Sequence, residues 1–285
     1  MPDLPQDLRQ QLRTAHGRRL EQLVDDYGAR LGLPEVRQLL LNPFVTAEAL
    51  ELLANDRRLM AERRVRSAVA GHRRTPPQVA LRFVSSLFWR ELLEIVVDVR
   101  VSAAVRRSAE HYLVQRLPRL TVGEKVSLAR RAVGRIAREL SLDPTLRILK
   151  ALLGNPRLVE QDLMPLLTSA RSSPRALETV AASERWGHRY EVRRALCGNP
   201  QTPARNAVGL LPTLRREDLE PLANQEELGW LVRHRAKQIL EEWPADAYRQ
   251  RVQDIVLADD VRIELDATPR PGDAELRDAI DSAPS

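Results

Sequence analysis

The sequence predicts an all-α fold: an α-solenoid of about six stacked, irregular helix pairs, followed by an acidic C-terminal segment. Three observations predict it. A pattern recurs along the chain, helix start and stop signals separate the recurrences, and apolar residues recur at three- and four-residue steps. Of the 285 residues, 43% are hydrophobic and 29% are charged. That composition is typical of a soluble folded chain rather than a disordered or membrane-embedded one.

The recurrence is clearest between two segments that lie 127 residues apart. "VRSAVAGHRRTPPQVALRFVSSL" at 65–87 aligns without gaps onto "VRRALCGNPQTPARNAVGLLPTL" at 192–214, with eight identities in 23 positions. A slip of one residue then matches "RELLE" at 90–94 with "REDLE" at 216–220. The two stretches therefore share one structural plan.

A Val-Arg or Leu-Arg pair marks each recurrence, at spacings of 29, 40, 41, 46 and 40 residues. The pairs begin at Val36, Val65, Val105, Leu146, Val192 and Val232. These spacings are typical of stacked helix pairs. They divide the chain into N-terminal capping helices at 1–33, a repeat array at 34–244 and an acidic, partly flexible segment at 245–285. Within that last segment, "IVLADDVRIEL" has enough apolar residues to dock on the body as a short helix or strand.

Local signals predict where the helices begin and end. Gly-Asn-Pro at 154–156 and at 198–200 follows apolar runs, and we expect each glycine to end a helix in the left-handed conformation. Hydroxyl residues that precede proline predict N-terminal caps at three places, Thr75-Pro76, Ser173-Pro174 and Thr202-Pro203. Thr121 and Glu124 have the spacing of a reciprocal capping box, as do Thr75 and Gln78.

The segment "VRRALCGNPQTP" at 192–203 resembles the leucine-rich-repeat variant, and the recurring Val-Arg pair resembles HEAT-type repeats. The resemblance covers roughly residues 36–240. It implies an α-solenoid used mainly as a binding scaffold, and it implies that the arginine of each pair contacts acidic residues or helix ends of a neighbouring repeat. The chain departs from this pattern in its irregular spacing and in lacking Asn-Pro in the recurrences that begin at Val65 and Val105.

The distribution of charge favours nucleic acid or an acidic surface as a partner. The formal charge is +6, but residues 252–285 hold nine acidic residues against three arginines, which leaves +12 on the remainder. Arginine outnumbers lysine 42 to 3, an excess that a GC-rich genome also produces. The candidate binding residues are the arginines of the recurring pairs, Arg37, Arg66, Arg106, Arg147, Arg193 and Arg233. Stacking would place them in a row able to bind carboxylates or phosphates, or to make contacts between repeats.

Trp186 and Tyr190 form a candidate aromatic contact that could stack on a base or a peptide. The alternative for this pair is packing in the core, as is also expected for Trp89, Trp230 and Trp243.

The sequence thus predicts a non-enzymatic repeat scaffold that binds a macromolecule, a protein with an acidic or extended segment, along a basic groove. The alternative is a nucleic-acid-binding protein related to DNA glycosylase-type solenoids, for which Asp98 near Trp89 is the candidate catalytic acid. No cofactor motif or metal-ligand spacing is present, and Cys197 is the single cysteine. We expect a cytoplasmic protein, because the first residues lack the apolar core of a secretory signal and Cys197 has no partner for a disulfide. We expect no membrane segment, because no window of about 18 to 20 residues is free of charge.

Overall fold

The computed structural model describes Pro5 and residues 7–242, and the expectations for the acidic segment lie outside these residues. Residues 7–242 form eighteen α-helices and three 3₁₀ helices and contain no strand, which confirms the all-α prediction. The chain divides into two compact units, the first ending at Asp162 and the second beginning at Leu163.

The helix bounds are as follows. The first unit contains α1 Leu8–Thr14, α2 Arg18–Tyr27, α3 Leu33–Leu41, α4 Ala47–Asn55, α5 Arg57–Ala61, α6 Arg63–Ala70, α7 Pro77–Val84, α8 Trp89–Val97, α9 Ala103–Arg116, α10 Val122–Ala129, α11 Gly134–Ser141 and α12 Leu146–Leu153. They are followed by α13 Glu160–Thr168, α14 Pro174–Ala181, α15 Tyr190–Gly198, α16 Ala204–Leu210, α17 Arg216–Asn224 and α18 Trp230–Glu242. The 3₁₀ helices are Gly28–Arg30, Leu117–Arg119 and Leu211–Thr213.

Each recurrence contains three helices where the sequence predicted two. The Val-Arg and Leu-Arg pairs fall in or at the start of α3, α6, α9, α12, α15 and α18, and two further helices separate each of these from the next. In the first recurrence, the additional helix α5 was missed because its boundaries lack glycine and proline. Asp56 alone separates α4 from α5, and Glu62 alone separates α5 from α6.

The pairing of helices follows one rule. At four of the five junctions in the described residues, the second and third helices of a recurrence pack on the first helix of the next one; before α15, only α14 does so. In the first unit, α4 and α5 pack on α6, α7 and α8 pack on α9, and α10 and α11 pack on α12. In the second unit, α16 and α17 pack on α18. Helix α1 packs on α3 in the same way, so the N-terminal residues are built like part of a preceding repeat.

Buried asparagines join consecutive repeats. The side-chain amide of Asn199 donates hydrogen bonds to the carbonyls of Leu167 and Ser169, at 2.7 and 3.0 Å, where α13 ends. Its Oδ1 accepts the backbone amide of Gln201 at 2.9 Å. The same three contacts link Asn42 to Leu12, Ala15 and Phe44, and Asn155 to Ala129, Ala132 and Arg157. Each asparagine therefore caps carbonyls that the last turn of an α-helix leaves without intrahelical partners.

Two repeats lack this asparagine and use other side chains. The guanidinium of Arg116 in α9 donates to the carbonyls of Ser85 and Leu87, just beyond the end of α7. At the place that corresponds to Asn199, the first unit has His72, whose Nδ1 accepts the backbone amide of Arg74 at 3.2 Å. His72 thus makes one part of the asparagine contact, the hydrogen bond from the backbone amide two residues later.

The glycine prediction is wrong. Gly198 lies inside α15, and the cap residue Gly154 has a right-handed φ of −80°. Among the described glycines only Gly17 and Gly134 have positive φ. A left-handed residue is not required after α15, because the extended Asn199 ends the helix and its own side chain binds the next free amide.

The predicted hydroxyl caps are also wrong at all three proline sites: Thr202 Oγ1 is buried without a hydrogen-bond partner, and α7 has no capping box from Thr75 and Gln78. Thr75 Oγ1 donates to the carbonyl of Val69 at 2.6 Å instead of capping α7, and Ser173 makes no capping hydrogen bond. The prediction for Thr121 and Glu124 is confirmed, since the two side chains form a reciprocal capping box at the start of α10.

We predict that Asn199→Ala lowers the free energy of unfolding by about 2–4 kcal/mol, because two buried carbonyls and one amide lose their partner. Thermal or urea unfolding followed by circular dichroism measures the change. Asn224→Ala is the matched control, because this exposed asparagine donates only to the carbonyl of Glu220 within its own helix. Equal effects of the two substitutions would contradict the role of the buried amide.

Candidate binding site

Most of the excess positive charge of the first unit lies in one short stretch. Residues 57–82, which form α5, α6 and α7, contain eight arginines and one acidic residue, Glu62. We call this stretch the α5–α7 basic surface. Its arginines are Arg57, Arg58, Arg63, Arg64, Arg66, Arg73, Arg74 and Arg82.

Some of these arginines are held by the fold. Arg58 donates to the carbonyls of Gly28 and Leu31, and Arg74 donates to the carbonyl of Val45. These backbone acceptors are neutral, so Arg74 keeps an uncompensated positive charge while being fixed in position, whereas Arg58 also lies 3.6 Å from the carboxylate of Asp56. Their role matches that of the asparagines, because each satisfies a carbonyl of an earlier repeat.

Three other arginines have no such partner. Arg57, Arg64 and Arg73 are exposed, and none makes an ion pair or hydrogen bond with a described side chain. The half-buried Arg66 has a buried Nε that lacks a hydrogen-bond partner. The basic surface therefore has guanidinium groups available for an external anion.

A groove of about 360 Å³ lies between α6 and α8. Its lining includes Ser67 and Gly71 from α6 and its end, Glu91, Glu94 and Asp98 along α8 and beyond, and Arg157. The three carboxylates are spaced so that they follow one side of α8.

Arginines neutralise the carboxylates of this groove. Arg131 binds Glu94 through two hydrogen bonds of 2.6 and 3.0 Å, and this contact lowers the pKa of the Glu94 carboxyl. Arg63 lies 3.5 Å from Glu91 and also stacks over the ring of Phe88 at 4.4 Å. The groove is thus nearly charge-neutral, and the unpaired charge remains on the basic surface.

Asp98 does not have the environment of a catalytic acid. Arg100 binds both of its carboxylate oxygens, at 2.9 and 2.8 Å, and these hydrogen bonds lower the pKa of Asp98 to about 2. The indole of Trp89 is buried and donates to Glu124 Oε1 at 3.0 Å. Asp98 is therefore ionised and paired near neutral pH, and Trp89 offers no open ring beside it.

The six predicted arginines lie in different environments. Arg37 and Arg147 are exposed, Arg66, Arg106 and Arg233 are half-buried, and Arg193 is buried. In all three half-buried members the Nε atom is buried without a hydrogen-bond partner. The aliphatic part of these side chains packs against the repeat, so their contribution to binding is limited to the outer guanidinium nitrogens.

The difference in environment follows from helical register. Arg193 precedes Asn199 by six residues, whereas Arg37 precedes Asn42 by five. One residue changes the direction of a helical side chain by about 100°. The buried asparagines fix the position of the first helix of a repeat. Equivalent positions in different repeats must therefore be aligned on these asparagines and not on the Val-Arg pair.

The two predicted aromatic residues, Trp186 and Tyr190, are largely covered by other residues of the second unit. Trp186 is only 2% exposed. The hydroxyl of the half-buried Tyr190 donates to Asp218 and accepts the backbone amide of Arg215, whose guanidinium lies 4.9 Å from the centre of the ring. Burial and the contact with Asp218 raise the pKa of Tyr190 to about 12. Neither ring presents an open face of the kind that base stacking needs.

The exposed tryptophan is one for which the sequence predicted core packing. Trp230 is 67% exposed and stacks on His234, with ring centres 4.8 Å apart and an angle of 9° between the planes. The neighbouring Leu231 is 49% exposed. The core prediction is wrong for Trp230 and correct for Trp89, while Trp243 lies outside the described residues.

Within residues 7–242, no group of three or more histidine, cysteine, aspartate or glutamate side chains could hold a metal ion. None of the described helices is long and apolar enough to cross a membrane. Comparison of the chain with protein-family models, with curated proteins and with solved structures found no match. The function must therefore be argued from charge and contacts.

We predict that His72 makes stability depend on acidity. Burial, together with the nearby Arg73, Arg74 and Arg100, lowers the pKa of His72 below its usual 6.5. The folded state thus favours the neutral ring, so this contribution to stability is present above pH 6.5 and is lost as the pH falls below it. His72→Asn should reduce the loss of melting temperature between pH 7 and pH 5, and His111→Asn, at an exposed site, should not.

We predict that Cys197 is inert in the folded protein. The side chain is fully buried, and burial raises the pKa of its thiol to about 12, so the reactive thiolate is scarce. A colorimetric thiol reagent at pH 8 should react with one thiol per chain in guanidinium chloride and with almost none in buffer. Rapid reaction in buffer would show that α15 opens readily.

Proposed function

We propose that the chain is a non-enzymatic binding scaffold, an α-solenoid of three-helix repeats whose α5–α7 basic surface binds an acidic segment of a protein partner. The observation that carries the proposal is unmatched charge: eight arginines accompany one glutamate in residues 57–82, and Arg57, Arg64 and Arg73 are exposed without a carboxylate partner. An acidic segment would supply the missing carboxylates in charge-assisted hydrogen bonds.

The rule of helix pairing supports the scaffold part of the proposal. Four of the first helices, α6, α9, α12 and α18, are covered by the second and third helices of the repeat before them, and such nearest-neighbour contacts are typical of solenoids. The buried asparagines and the half-buried Arg116 link successive repeats, as expected for an array of repeats.

Exposed apolar side chains favour a protein partner over a nucleic acid. Leu81 in α7 is 40% exposed, and Phe88, which lies under the guanidinium of Arg63, is 55% exposed. A segment that combines carboxylates with apolar residues would match this mixture, whereas a phosphate backbone would use only the arginines.

We expect the full chain to bind a fluorescent 20-residue probe peptide of glutamate with leucine at every fourth position. Replacing the three free arginines together (Arg57→Gln, Arg64→Gln, Arg73→Gln) should weaken binding about tenfold, since each exposed charge pair contributes modestly. Fluorescence anisotropy at several salt concentrations measures the affinity, which should fall as salt rises.

The control is a second triple variant, Arg131→Gln, Arg194→Gln and Arg205→Gln. It removes the same charge from exposed arginines that are already paired with carboxylates. Equal losses in the two variants would mean that only net charge matters, which overturns the site. Tighter binding of a 20-base-pair DNA duplex than of the peptide, with a steep dependence on salt, would favour the nucleic-acid alternative.

A further inference from the structure

Two large apolar side chains are exposed where α3 ends. Leu41, the last residue of the helix, is 57% exposed, and Phe44 in the turn that follows is 55% exposed. They stand on either side of Asn42 in the sequence, and we call the two residues the α3 apolar patch. Exposed apolar side chains that lie together can mark a binding surface, whereas scattered single ones are ordinary.

The fold does not require these apolar residues. The turn after α3 has the same construction as the turns after α12 and α15, because in each an asparagine side chain accepts the backbone amide two residues later. That later residue is Phe44 after α3, but it is arginine after α12 and glutamine after α15. The residue before the asparagine is Leu41 in the first turn and glycine in both others. The turn therefore forms without an apolar side chain at either position.

Hydrogen bonds hold the turn between two other segments of the first unit. On one side, the side-chain amide of Asn42 donates to the carbonyls of Leu12 and Ala15, at 2.9 and 2.7 Å, at the end of α1. On the other side, Arg74 donates to the carbonyl of Val45 at 2.8 Å. The α3 apolar patch thus lies between the end of α1 and the α5–α7 basic surface.

Both of these neighbours are positively charged. Residues 12–19 contain three arginines and no acidic residue. Arg13 and Arg18 among them are exposed, and neither makes an ion pair or hydrogen bond with a described side chain. Arg73 of the basic surface is exposed in the same way. The patch is therefore flanked by guanidinium groups that an external carboxylate could bind.

Two other titratable side chains lie close to the turn. The ring of His16 lies 5.8 Å from that of Phe44. Glu21 accepts the hydroxyl of Thr46 at 3.2 Å, so its carboxylate is already hydrogen-bonded. One carboxylate beside several arginines leaves the surroundings of the patch positive.

We infer that the α3 apolar patch anchors an apolar side chain of the acidic protein segment that binds the α5–α7 basic surface. An apolar residue of the segment packs on Leu41 and Phe44, and the carboxylates beside it pair with Arg73 and Arg13. The partner is thus a segment in which apolar residues lie between carboxylates. This inference rests on the proposed function and adds to it the pattern of residues that the site selects.

A protein segment fits the patch better than a nucleic acid does. Base stacking needs an aromatic face, which Phe44 has and Leu41 lacks. Apolar side chains of a protein can pack on both residues.

The test uses the full chain and two fluorescent 20-residue peptides. One is the glutamate peptide with leucine at every fourth position, and the other has serine in place of each leucine, so their charges are equal. The unchanged protein should bind the leucine peptide about fivefold more tightly than the serine peptide. Leu41→Ser with Phe44→Ser should reduce this preference to less than about twofold without weakening binding of the serine peptide.

The matched control is Val122→Ser with Leu142→Ser, which removes two apolar side chains of the same unit that are 44% and 49% exposed. It should keep the preference for leucine. A preference that survives in the Leu41 and Phe44 variant, or that falls equally in the control, would overturn the inference alone. If neither peptide binds, or if replacing Arg57, Arg64 and Arg73 leaves both affinities unchanged, the proposed function fails with it.

A second measurement locates the contact directly. Phe44→p-benzoylphenylalanine exchanges one exposed aromatic side chain for another, and irradiation with the leucine peptide should crosslink it to the peptide. The same group at position 142 should give no such crosslink. Crosslinks that join two chains of the protein would show that a second copy occupies the patch. Stronger crosslinking to a 20-nucleotide single-stranded DNA than to the peptide would assign the patch to nucleic acid, and either result would overturn the inference.

Discussion

The fold depends on how the ends of short helices are satisfied. An α-helix leaves the carbonyls of its last turn without intrahelical partners, and a chain with many short helices has many such ends. Here the next repeat supplies the missing donors. The amides of Asn42, Asn155 and Asn199 and the guanidinium of Arg116 each bind two carbonyls at or near the end of an earlier helix. Helix termination and the contact between repeats are thus one interaction.

The helices and their recurrence could be predicted from the sequence. The spacing of apolar residues and the similarity between segments 127 residues apart can both be seen in the residue types. Helix α5 could not be predicted. A single Asp56 or Glu62 ends one helix and starts another without the usual glycine or proline. The conformation of Gly198 could not be predicted from the sequence either. The end of α15 is set by Asn199, whose side chain binds distant carbonyls, and not by a left-handed glycine.

The candidate site, too, could be predicted only in part from the sequence. The excess of arginine at 57–82 is visible in the sequence, but the arginines that remain available are not. Arg58 and Arg74 bind carbonyls about thirty residues away, and only the fold brings these atoms together. The exposure of Trp230 was missed because the spacing of apolar residues alone does not show whether the start of a helix is covered by another element.

The contact at the start of α6 and α15 has an evolutionary consequence. A cation lies over an aromatic ring in both copies, but Arg63 is the cation in one and Arg215 in the other. A single substitution would break such a contact, and a compensating substitution at its partner would restore it. Two duplicated segments can therefore diverge through paired exchanges until little identity remains. Such exchanges would appear as covariation between positions 25 and 28 residues apart, the separations of these contacts in both segments.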